Sequence, residues 1–423
     1  MPGNSYCIKA SKLLLSVFIF YQVFIKEAFG NYPIILYGTV ILATVLIAID
    51  VMSQRGKLPV FGFSAMLMVY GAYSFLSGLF VSKDTSWFYS IMVTYFAFAI
   101  VCFDCCYIIK RTGSSEWILN VFLISAIACS IKTIFFGADY RTEVIVRTMS
   151  IDNNPNTLGL SMIVGIFSLV SRKKYVVNKF WLTMGTAMVF LYVILLSASR
   201  KCLFAALALV GIWIISVLRT DRHFSARKIS MIIAVIAAIS IGMYYFVTRY
   251  ATTSSFARML LLNSGANTRA SLYQDAIEYW KTSPIIGIGF CQYQIWSPYR
   301  LYSHSTYAEI LCCTGLIGVL IFFVPLARYT NTIIRQALRR DDDNHYDLMM
   351  SLAMIIIELA LGVGQIFIYD VTHLLVLTYL CMGTDYIIKE NKEYLRNLEV
   401  SGMTTGQGRF FRRIRSSKQN VST

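Results

Sequence analysis

Apolar runs recur along nearly the whole chain, parted by short polar breaks, and this repetition leaves few ways to fold. Crossing the hydrocarbon of a bilayer takes roughly 20 consecutive apolar residues in a helix, and in lipid only helices and closed barrels satisfy their own backbone. Runs of about this length fall near 11–30, 32–51, 58–81, 87–109, 117–137, 157–171, 180–198, 202–218, 229–247, 305–327, 348–368 and 371–388. The expected fold is therefore all-α, a polytopic membrane protein of about twelve transmembrane helices. Composition agrees: 57% of the 423 residues are hydrophobic and 14% charged, with a mean hydropathy of +0.61, which is more apolar surface than a soluble fold buries. Lys9 and Lys12 precede the first run, but no small-residue cleavage site follows it, so it reads as a retained helix.

Orientation follows from the cations, which are held on the cytoplasmic side of short loops. With the N-terminus inside, about two thirds of the 38 lysines and arginines fall on inner connections, including Arg55, Lys57, Lys110, Arg111, Arg172 to Lys174, Arg328 and Arg335. Both termini are then cytoplasmic. The net charge of +16 is mostly a product of this topology. The tail motif Arg409, Phe410, Phe411, Arg412, Arg413, Ile414, Arg415 lies on the side of the anionic lipids, so it reads as a membrane-surface or solvated segment and not a nucleic-acid patch. Most of the ten cysteines sit inside apolar runs and read as small buried hydrophobes, with no metal site expected.

Outer connections are only a few residues long apart from 138–156 and 248–304, and the second is too long for a bare link in a compact protein. Within it, Thr268 to Lys281 reads as an interfacial helix capped by Thr268 and closed by Pro284. Its apolar stripe comprises Leu272, Tyr273, Ala276 and Trp280, and Arg269 points with that stripe. Such an arginine either snorkels its head to the interface or faces a cavity and grips an anion with its planar fork. Two glycines at alternate positions, Gly287 and Gly289, suggest a backbone turn packed closely against something. Arg200 stands in a tight break between two runs, either as a headgroup anchor or as a fixed anion site. His304 precedes the run from Ser305 to Phe323, where it caps the helix or stands next to its positive end as a neutral base. Thr306 to Glu309 forms a capping-box pattern, which makes Glu309 structural.

These pieces, in this order, resemble the O-antigen ligase and O-antigen polymerase superfamily of bacterial membrane glycosyltransferases, the Wzy/WaaL-like proteins. The likeness covers about residues 150 to 325. It rests on Asn154, Pro155 and Asn156 opening a span, on Ser199 and Arg200 at the outer end of a later one, and on Arg269 leading a helix followed by Pro284, Gly287 and Gly289. It is completed by His304 before a helix bearing Gly315, Leu316, Ile317 and Gly318. The resemblance implies that His304 is the catalytic histidine and that Arg200 and Arg269 bind the substrate pyrophosphate. Asn156, Ser305 and Glu309 would support them, although Ser305 departs from the family's His-Asn pair.

The implied activity is a metal-independent, inverting transfer of glycan from a polyprenyl-pyrophosphate-linked oligosaccharide at the outer face of the bacterial inner membrane, with no cofactor. A polymerase would extend one lipid-linked glycan with another, and a ligase would use a different acceptor. Membrane lipids and other polysaccharide-assembly membrane proteins are the implied partners. A transporter or flippase is the reading from another class, with Lys132, Glu358, Gln365 and Asp370 as its polar residues. The expected organisation is nine helices within 1–247, an outer module at 248–304, three helices within 305–388 and a basic tail at 389–423.

Overall fold

The computed structural model describes residues 5–26, 32–53, 62–136, 138–142, 145–149, 155–172, 180–197, 199–220, 266–338 and 345–383, with isolated positions between 220 and 266. In chain order the helices are α1 (Ser5–Phe20, continued by a π turn at Tyr21–Ile25), α2 (Pro33–Ser53), α3 (Gly62–Val81), α4 (Thr85–Thr112) and α5 (Glu116–Phe136). They continue as α6 (Pro155–Val170), α7 (Phe180–Leu196), α8 (Arg200–Thr220), α9 (Ala266–Thr282), the short α10 (Tyr293–Trp296), α11 (Thr306–Ala337) and α12 (His345–Leu361), with α13 at Val371–Gly383. Each expected apolar run coincides with one of these helices except 229–247, which lies outside the described residues, as does the basic tail. By length and composition, six helices among the described residues are long and apolar enough to cross a membrane.

The connection at 138–156 holds one departure from an all-helical chain. Strands β1 (Ala138–Thr142) and β2 (Ile145–Met149) pair antiparallel, with Ala138 opposite Met149 and Thr142 opposite Ile145. The β-branched residues Thr142, Ile145, Val146 and Thr148 suit a short hairpin, a signal that a loop reading passes over.

Helices α1, α2, α4 and α5 form one packed group, α6 joins it through α5 and continues to α7 and α8, and α8 leads to α12. Helix α11 packs on α3, α9 and α12. At the end carrying Arg111 and Lys110, the buried Asp50 accepts from the hydroxyl of Tyr107 at 2.7 Å and pairs with Arg111 Nε at 3.1 Å. A carboxylate among helices is retained where charge and hydrogen bond both answer it.

The most constrained feature is a break in α11. Gly315 has φ 65° and ψ −169°, so the helix stops and restarts there. Within a helical bundle the freed backbone groups need partners, and the segment 284–289 supplies them. Ile288 N donates to Cys312 O and Gly289 N to Cys313 O, both at 3.0 Å, while Leu316 N and Ile317 N donate to Pro284 O and Ile285 O at 3.0 and 3.2 Å. The Thr314 carbonyl accepts from the Tyr73 hydroxyl at 2.8 Å. Such close backbone approach leaves no room for side chains: a Cβ on Gly287 would strike the Cys313 peptide, and one on Gly315 the Ile285 carbonyl. Both glycines also have positive φ.

The same segment is fixed on its other side by the α3–α4 turn. Gln292 Nε2 donates to Asp84 O at 3.1 Å and Gln292 Oε1 accepts from Asp84 N at 3.0 Å, and Lys83 lies 3.7 Å over the Trp296 ring. Below it, Phe290 meets the rings of Tyr70, Tyr95 and Tyr369. Gly315→Ala combines a collision with a left-handed backbone, each worth about 1–3 kcal/mol. Its melting temperature in detergent is expected to fall by several degrees, measured against Gly185→Ala, where a Cβ meets open space.

Candidate functional site

Polar contacts at one end of the bundle gather on a loop that sequence reading assigned to the interior of an apolar run. Helix α12 ends at Leu361, and Gly362, Val363, Gly364 and Gln365 run without helical structure to a 3-10 turn at Phe367–Tyr369. Their carbonyls face donors from three other elements. Thr306 N donates to Gly362 O at 2.8 Å and to Gln365 O at 3.0 Å, and its hydroxyl donates to Gln365 O at 2.7 Å. The Tyr273 hydroxyl donates to Val363 O at 2.6 Å, and Lys201 Nζ to Gly364 O at 2.6 Å. Consecutive Cα atoms lie about 3.8 Å apart, so four residues bring α8, α9 and α11 together within roughly 11 Å.

Asn156, in the first turn of α6, adds the fourth side of the frame. Its carbonyl accepts from Gln365 Nε2 at 3.3 Å and its Oδ1 from the Ser199 hydroxyl at 2.8 Å. The base of the loop is closed by Glu358 and His373, both buried, which are hydrogen-bonded through Oε2 and Nδ1 and so tie the last turns of α12 to α13.

His304 stands on a tight turn just before α11. Its φ is 59°, a left-handed conformation that non-glycine residues adopt only where neighbours enforce it. Here the buried Glu309 enforces it. Glu309 Oε2 accepts from Ser303 N at 3.0 Å, the Ser303 hydroxyl donates to Ser305 O at 3.0 Å, and Ser305 caps α11 by accepting from Ala308 N. The Tyr369 hydroxyl holds the other carboxylate oxygen at 3.2 Å. The imidazole is half-buried, with the Tyr302 ring centroid 4.5 Å away.

Electrostatics link this turn to two cations. The pKa of His304 lies below the ordinary histidine value, first because burial disfavours the imidazolium and then because the Arg269 and Lys201 charges repel it. Arg269 is exposed at the start of α9, one turn before Tyr273. Leu272 and Ala276 are buried beneath it, while Gln274, Glu278 and Lys281 are exposed, as the amphipathic pattern requires.

The sequence-nominated residues are thus spread unevenly over this site. The segments bearing Asn156, Arg269 and His304 meet around the 362–365 loop, as does the start of α8. Arg200 is the half-buried first residue of α8, and the charge from this corner that acts on His304 is that of Lys201. Helix α9 begins at Ala266, two residues before the expected cap at Thr268. The cap of α11 is Ser305 instead of Thr306, because the Thr306 hydroxyl is committed to Gln365 O. Glu309 is structural, as expected, but reaches back to Ser303 N. Sequence reasoning missed Lys201 and the loop; the clue to the latter was Gly362, Gly364 and Gln365 interrupting an apolar run.

Apolar helices of spanning length, with polar contacts gathered on a loop at one end, mark a multi-pass membrane protein. Residues 185–323 match the model of the O-antigen ligase family, Wzy_C. That segment, about a third of the chain, contains Arg200, Arg269 and His304 and bears out the resemblance read from the motifs; the match supports a glycan-transferring membrane enzyme of polysaccharide assembly. No curated protein matches the chain.

Glu309→Ala strips buried partners from Ser303 N and the Tyr369 hydroxyl, at about 1–3 kcal/mol for each group left unsatisfied. A clear fall in melting temperature is expected, together with loss of glycan transfer as the His304 turn loosens. Glu309→Gln, which still accepts one of these bonds, should lie between that variant and wild type.

Proposed function

We propose that this protein is a polysaccharide polymerase that transfers glycan from a polyprenyl-pyrophosphate-linked donor to an acceptor sugar hydroxyl at the outer face of the bacterial inner membrane. The observation that carries this reading is the meeting of the Asn156, Arg269 and His304 segments with the start of α8 around four loop carbonyls. One donor molecule must be held by its pyrophosphate while its anomeric carbon faces a base, and these segments meet at a single loop. The polar frame gathers at the end where α3 and α4, α7 and α8, and α12 and α13 turn, which are the turns that the cation pattern assigns to the outside.

His304 takes the proton from the acceptor hydroxyl, whose oxygen attacks the anomeric carbon from the face opposite the leaving group. The bond from that carbon to the pyrophosphate oxygen breaks, its electron pair stays on the pyrophosphate, and the configuration inverts. Arg200 and Arg269 hold the pyrophosphate and stabilise its growing charge. A neutral imidazole is what a base requires, and the neighbouring cations favour that form.

His304→Ala is expected to lower product formation at least 100-fold, the scale of lost general-base catalysis, while the protein still reaches the membrane; wild-type product levels would remove His304 from this role. Because the folded environment lowers the His304 pKa, the acid limb of kcat/KM should lie below the ordinary histidine value of about 6.5. Arg269→Gln removes one repelling charge, so that limb should move upward towards the ordinary value. An unmoved limb in this variant would show that His304 is not the titrating group.

The description of the matched family favours a second reading, ligation to a different acceptor. Purified protein incubated with lipid-linked repeat units alone separates the two. Polymer forms only if the acceptor is another lipid-linked glycan.

A further inference from the structure

We propose that Lys201 is a third cation of the donor site, gripping the pyrophosphate together with Arg200 and Arg269 beside the His304 turn. This rests on the glycan-transfer reading above and assigns to that site a residue that sequence motifs pass over in favour of its neighbour Arg200.

The placement of Lys201 is the first argument. Its ammonium reaches Gly364 O at 2.6 Å. The adjacent carbonyl, Val363 O, takes the Tyr273 hydroxyl, and Tyr273 is one helical turn after Arg269. Gln365 O, on the other side, takes Thr306, two residues after His304. Three neighbouring carbonyls therefore index the lysine, the arginine and the histidine to one another.

The second argument is what these cations lack. An ammonium has three N–H donors, and one is committed to Gly364. Among the described residues, no carboxylate forms an ion pair with Lys201 or with Arg269; the ion pairs there join Arg111 to Asp50, Lys281 to Glu278 and His373 to Glu358. Tying a loop carbonyl down needs only a neutral donor such as Ser, Asn or Gln, and a half-buried ammonium is a costly substitute. Two like charges that also act on one imidazole repel each other across the space between them. An anion with several oxygens, such as a pyrophosphate, would turn that repulsion into attraction. The remaining N–H groups of Lys201 are oriented by the bond to Gly364 and need not be reorganised when the donor arrives.

The test uses full-length protein in detergent or nanodiscs, a lipid-linked donor and inorganic pyrophosphate as a competing probe. Lys201→Gln removes the charge but keeps a donor for Gly364, and Lys201→Met removes both. In each variant the donor KM is expected to rise about tenfold or more, the scale of a lost charge-assisted contact, and inhibition by pyrophosphate to weaken in parallel. Lys201→Arg should restore much of both. A Lys201→Gln protein with wild-type donor KM and wild-type inhibition overturns the proposal, and so does a Lys201→Met protein whose only change is a lower melting temperature, since the lysine is then just a strut for Gly364. The controls separate the two ideas: no glycan product from the wild-type protein with lipid-linked donor removes the glycan-transfer reading, whereas an active wild type and an inactive His304→Ala beside an unaffected Lys201→Gln remove only the role of Lys201.

Discussion

A main-chain carbonyl or amide withdrawn from water must find a partner within the protein, and the structure of this site is one extended answer to that demand. Helix α11 is broken at Gly315, which releases backbone groups in the middle of an apolar helix. The peptide groups of 284–289 take them up almost as a strand would, and Tyr73 takes the last carbonyl. Everything that follows in the chain as far as His304 is thereby pinned to the helix that His304 precedes. The His304 turn is held from below by its own helix, through Glu309, and from the side by a segment inserted into that helix.

The 362–365 loop repeats the logic in the opposite sense. There the carbonyls are the hosts, and donors arrive from α8, α9 and α11. Buried Glu358 and His373 close the loop from beneath. In a transporter reading, Glu358 and Gln365 would be polar groups on a path through the membrane. Here Glu358 is engaged by His373, and Gln365 binds the Asn156 carbonyl, so both are occupied in holding the frame of a site at one end.

How much of this was legible in the sequence depends on the length scale. Runs of apolar residues mark helices because hydrocarbon imposes one length on all of them, and the described helices follow those runs closely. The amphipathic face of α9 and the close packing of Gly287 were readable for the same reason: periodicity and missing side chains are local. The hairpin at 138–149, the cap at Ser305 and the bond from Lys201 to Gly364 were not. Choosing between Thr306 and Ser305 as the cap requires knowing that the Thr306 hydroxyl is already engaged by Gln365, nearly sixty residues away. Seeing that Lys201 reaches Gly364 requires knowing where a loop 163 residues later in the chain lies. Such choices are settled by partners remote in sequence, and a single chain read from end to end does not display them.

The loop grips its neighbours through main-chain oxygens alone at Val363, which has one consequence for how such a site can change. Val363 is 55% exposed, while its carbonyl carries the contact to Tyr273. The frame is therefore indifferent to the chemistry of that side chain, provided the backbone keeps its course. A position of this kind can be rewritten, in evolution or in the laboratory, without disturbing the backbone contacts that hold Lys201, Tyr273 and Thr306.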